Sequence, residues 1–114
     1  MDERRKYERV TVDLQGTVQA DGGHVPQACR VNELSNEGIR LLLNEKIQFG
    51  TTITLSILLP GRQHPVTAAM VVRWNRQLYD NPSFSYLAGG ELTVTDAEAK
   101  KLLCDYALAR GKTA

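Results

Sequence analysis

From residue 10 to residue 20 hydrophobic and polar side chains alternate strictly: Val10, Val12, Leu14, Gly16, Val18 and Ala20 against Thr11, Asp13, Gln15, Thr17 and Gln19. A period of two sends successive side chains to opposite faces, so this stretch predicts a β-strand with one wet face. Asp21, Gly22 and Gly23 form a turn signal, and a second extended run follows with Val25, Gln27, Cys29 and Val31, where Pro26 points to an edge or a bulge. Residues 32–38 are polar and turn-like, with a hairpin centred on Ser35, Asn36, Glu37 and Gly38. A short strand over residues 39–43 is apolar on both faces apart from Arg40. After a loop, Ile53, Leu55, Ile57 and Leu59 share a face until Pro60 and Gly61 end the run. The return strand is expected to point Val66, Ala68, Met70, Val72 and Trp74 inward, and beyond a polar loop Phe84, Tyr86, Ala88, Gly90 and Leu92 mark a last strand.

The period then changes. Thr95 and Glu98 stand in the S/T-x-x-E relation of a capping box, and Ala99, Leu102, Leu103 and Tyr106 recur at helical spacing, predicting a helix over about 96–110 with Gly111 as its stop. Short strands at regular spacing followed by one helix predict an all-β fold, a six-stranded antiparallel β-barrel with a C-terminal helix, because closure removes the exposed edges of an open sheet. The helix is expected over an open end or a flank. The chain divides into a charged leader over residues 1–9 and a barrel with its helix over residues 10–111.

Composition narrows the function classes. At 114 residues the chain fits one domain, and 14 Lys+Arg against 13 Asp+Glu leave a net charge of +1, so any anion binding must be local. Near-neutrality and only 6% aromatic residues argue against a groove for single-stranded nucleic acid. The charged start of the chain and the lack of a long apolar run predict a cytoplasmic protein with no membrane insertion. Cys29 and Cys104 lie far apart among apolar positions, as buried reduced thiols do. His24 and His64 sit beside turn signals, outside any nucleophile or zinc motif, and no Gly-rich loop precedes a helix. No enzyme activity, metal or cofactor is expected.

Two constellations remain. Arg4, Arg5, Lys6, Tyr7, Glu8 and Arg9 stand immediately before the first strand, with Arg5 and Arg9 in an R-x-x-x-R spacing; Glu33, Leu34, Ser35, Asn36, Glu37 and Gly38 occupy the later turn. Each alone is a weak signal, since charged tails and Ser-Asn-Glu-Gly turns are common. Their order on a barrel pattern resembles the PilZ domain family, whose signature pairs R-x-x-x-R with a later (D/N)-x-S-x-x-G. The run from Tyr86 through Gly89 and Gly90 to Leu92 is also similar to that family's final strand. The resemblance implies a cytoplasmic receptor for the second messenger cyclic-di-GMP that signals through contacts with a downstream protein. It assigns ligand binding to Arg4, Arg5, Arg9, Glu33, Ser35 and Gly38, with Asn36, Arg73, Trp74 and Gly89 as secondary candidates. An inward tryptophan is ordinarily a core residue, and that is the first reading of Trp74.

Arginine suits such a ligand because its planar fork pairs with phosphate oxygens or guanine O6 and N7, and its face stacks on a purine. The leader, poor in apolar residues, is expected to order when the ligand arrives. Arg4, preceding the first motif, implies by the same resemblance a stacked dimer of the ligand. The departure is Glu33, where the family carries Asp or Asn: the carboxylate is kept on a stem one methylene longer. That departure opens the alternative of a PilZ-like interaction module that binds no nucleotide.

Overall fold

The computed structural model describes residues 9–22, 25–35, 38–93 and 97–111. Six strands, β1 (Val10–Ala20), β2 (Gln27–Leu34), β3 (Gly38–Leu43), β4 (Thr52–Ile57), β5 (Val66–Gln77) and β6 (Tyr86–Leu92), precede one helix, α1 (Ala97–Gly111). The strands close into an antiparallel barrel in the order β1-β2-β3-β6-β5-β4, β4 returning to β1. Every strand thus has two partners, which is the expected solution to the edge problem.

The alternation places its apolar parity inside. Leu14, Val31, Leu41, Ile53, Leu55 and Met70 are fully buried. Among the described residues no buried side chain is polar or charged, so any polar chemistry they carry belongs to the outer wall, the turns or the ends. Leu59 joins the core although β4 ends at Ile57.

Four local expectations shift. β2 begins at Gln27, leaving Val25 exposed and Pro26 outside the ladder. At its other end β2 runs on through Asn32 and Glu33 to Leu34, which narrows the turn to the residues between Leu34 and Gly38. The pairing of β2 with β3 slips between Val31 and Glu33. An extra residue in one strand breaks strict alternation, and that explains two consecutive part-exposed polar side chains before buried Leu34. Trp74, expected inward, points outward, because the pairing of β5 with β6 slips between Val72 and Trp74. α1 includes Gly111 rather than stopping before it.

α1 buries Ala99, Leu103 and Ala107, with Leu102 and Tyr106 packed partly against the core, and lies against β5 and β1. Glu98 in its first turn and Arg110 in its last complement the helix dipole. Cys29 is buried, and burial pushes its thiol up to about 11. Cys104 is only half-buried, and neither cysteine is in a disulfide.

Candidate functional site

Pairing register brings residues distant in sequence into one row across the outer wall. Thr11 faces Glu33, Glu33 faces Arg40, Arg40 faces Gly89, and Gly89 faces Trp74, a belt contributed by β1, β2, β3, β6 and β5. The pairing slips flank this belt: those between Thr11 and Leu14 and between Val31 and Glu33 lie on one side, and that between Val72 and Trp74 lies on the other. Such irregularities re-aim side chains, and here the result is an indole on the surface.

Trp74 is 43% exposed and leans over β6. A Cβ at Gly89 would come within 2.5 Å of indole Cε2, Cζ2 and Nε1, so the missing side chain of Gly89 is the space the ring occupies. Arg73, beside it, is exposed and pairs with Glu91 through Nε at 3.4 Å. Phe49 and Tyr79 are further exposed aromatics.

The turn adjoins the belt. Ser35 is wired into it: its Oγ accepts the Gly38 N–H at 3.1 Å and lies 3.3 Å from the Gly38 carbonyl, to which the Ser35 N–H donates at 3.0 Å. The hydroxyl expected to face a ligand is therefore engaged in shaping the turn. Gly38 is required by a close approach within the barrel itself. Its φ is not positive, and a Cβ there would run into the Gly90 carbonyl oxygen across the β3–β6 ladder.

Arg9 is exposed and immediately precedes the Val10–Leu34 pair, while Ser35 immediately follows it. The second arginine of the R-x-x-x-R motif thus stands at the same end of the β1–β2 ladder as the Ser35–Gly38 turn. Arg4, Arg5 and Asn36, and with them the expected ordering of the leader, lie outside the described residues.

Glu33 is not free. Its side chain is 18% exposed, and its Oε2 lies 3.5 Å from Nη2 of Arg40, itself 31% exposed. Arg40 Nε donates to Asn32 Oδ1 at 3.1 Å. Arg40 and Asn32 were absent from the sequence-based site; the signal that could have found them was a lone charge inside the apolar run of residues 39–43, directly after the turn. The belt and turn together offer a guanidinium, a carboxylate, an exposed indole and closely approached backbone, a surface suited to a planar, anionic ligand.

The PilZ domain model of that protein family matches residues 3–109. Among solved structures, the inhibitor of motility MotI/DgrA from Bacillus subtilis superposes with a TM-score of 0.74 at 24% identity, over 96% of this chain and 52% of its own. The chain thus spans about half the length of that protein. The PilZ domain of YcgR from Escherichia coli, solved with c-di-GMP, gives 0.70 at 13% identity over 96% of this chain and 93% of its own. The PilZ domain of CeSA from a cellulose-synthesizing bacterium gives 0.64 at 10%, over 90% of this chain and 97% of its own. No curated protein matches the sequence. With the family model spanning nearly the whole chain and the barrel order in agreement, this chain belongs to the PilZ domain family.

Proposed function

We propose that the protein is a receptor for cyclic-di-GMP, held between the arginine leader and the face formed by the Ser35–Gly38 turn and the Glu33–Trp74 belt. The observation that carries this reading is the position of Arg9, next to that turn at one end of the β1–β2 ladder. Membership of the family, and the c-di-GMP with which the E. coli YcgR domain was solved, supply the identity of the nucleotide.

The magnitudes are compatible. Micromolar affinity needs about 8 kcal/mol. Bidentate arginine contacts contribute about 1–3 kcal/mol each, and stacking a base on an exposed aromatic contributes about 1–3 kcal/mol. Arg5 and Arg9 supply the guanidinium contacts, Trp74 a stacking face, and Ser35 the hydrogen bonds that tie it to Gly38 beside that face. Glu33 accepts from guanine N1–H and N2–H, and the leader's rearrangement changes the surface a downstream protein reads. One ligand dimer per chain, two nucleotides at saturation, follows from Arg4 beside the motif.

The second reading, an interaction module without nucleotide, is favoured by one observation: Arg40 already holds the Glu33 carboxylate. Isothermal titration with cyclic-di-GMP, beside GMP and cyclic-di-AMP, separates the two. A receptor gives saturable, selective heat that Arg9→Ala removes while the circular dichroism spectrum stays native. No heat in the wild-type protein leaves the interaction module standing.

A further inference from the structure

We infer that Arg40 is an internal competitor for the Glu33 carboxylate, a guanidinium that holds the place of the guanine edge until nucleotide displaces it. The inference rests on the receptor reading above and names what sets the affinity of that site.

Guanine presents N1–H and an exocyclic N2–H side by side, the same fork that a guanidinium presents, so one carboxylate serves either but not both in bidentate fashion. Register puts Arg40 directly across from Glu33, and their contact at 3.5 Å is a loose ion pair rather than a close fork. A second anchor, Arg40 Nε on Asn32 Oδ1 at 3.1 Å, keeps the guanidinium over the belt. Both side chains are part-exposed, so water screens the pair and the exchange is inexpensive. The extra methylene of Glu33 is what makes the pair possible: an aspartate would withdraw the carboxylate by about 1.5 Å, beyond ion-pair reach of Nη2. Glutamate in this position therefore converts an open acceptor into one that is occupied at rest, and ligand binding becomes an exchange.

The test is isothermal titration of the whole chain with cyclic-di-GMP, using wild type, Arg40→Gln, Glu33→Gln and the double variant, with thermal melts to verify folding. Arg40→Gln keeps the stem and an amide donor for Asn32 but removes the competing charge; affinity should rise about three- to fivefold, the equivalent of a part-exposed ion pair. Arg40→Met, which retains the stem without any donor, should show the same gain. Glu33→Gln should weaken binding, and in that background Arg40→Gln should add nothing. Unchanged or weaker binding by folded Arg40→Gln, or a gain that persists without the Glu33 carboxylate, overturns the competitor role while leaving the receptor reading intact. A wild-type protein and variants that all fail to bind overturn the receptor reading and the competitor role with it.

Discussion

Two adjacent glycines of β6 should respond oppositely to the same added methyl group. At Gly89 a Cβ would lie 2.5 Å from three atoms of the Trp74 indole, against an ordinary carbon contact of about 3.5–4.0 Å, so the ring must retreat by about 1–1.5 Å. Trp74 is 43% exposed and free to swing outward. An indole buries up to about 250 Å², so lifting its covered part away entirely would forfeit about 3 kcal/mol at ~25 cal/mol/Å². A partial retreat forfeits about 1 kcal/mol, and the lower unfolded-state entropy of alanine offsets much of that. Gly89→Ala should therefore shift the melting temperature by no more than about 4 °C. At Gly90 the added Cβ drives into the Val71 carbonyl oxygen, and a backbone atom has no rotamer to yield. β5 and β6 must then part, which belongs to the rare losses of about 4 kcal/mol or more. The assay is a thermal melt together with fluorescence, for which Trp74 is the single tryptophan. Gly89→Ala should move the emission to longer wavelength with the fold retained, and Gly90→Ala should abolish cooperative melting at moderate temperature. Equal losses in the two variants, or an unchanged spectrum in folded Gly89→Ala, would refute the packing of the indole on Gly89.

Ser35→Ala removes the hydroxyl that accepts the Gly38 N–H, so the melt should lose about 1 kcal/mol and nucleotide affinity, read by titration, should fall through a loosened turn rather than a lost ligand contact. Cys29 should resist thiol reagents in the folded protein, while half-buried Cys104 reacts first, as mass spectrometry of the labelled chain would show. Because burial raises the folded Cys29 thiol from 9.0 to about 11, the folded state holds its proton more tightly; the associated stability is complete below pH 9 and is lost as the pH climbs toward 11, by about 2 kcal/mol. Cys29→Ala should flatten that part of the alkaline denaturation profile, and an unaltered slope would remove the thiol from the account.

Most of the barrel was legible because its strands carry their periodicity openly. The parity of β1 from Val12 to Val18 and of β4 from Ile53 to Ile57 survives unchanged in the structure. Helical spacing likewise located the buried face of α1, apart from Ala107. What sequence reasoning could not see was register. Val72, Arg73 and Trp74 read as simple alternation, and only the slip against β6 reveals that the indole faces outward. The same blindness hid the Glu33–Arg40 pair, since the strand pairing that opposes them is absent from either local motif. The glycines were recognised as a pattern, but their reasons lie across the sheet: Gly38 makes room for the Gly90 carbonyl and Gly89 for an aromatic ring.

The belt from Thr11 to Trp74 has an implication for how the protein folds. Its members are supplied by five strands and span most of the chain, so no single hairpin contains it; it is complete only once β5 has paired with β6. A nucleotide captured there would recognise only finished molecules and would draw the refolding equilibrium toward them. Trp74, seated on the β5–β6 seam, would report that pairing by its fluorescence.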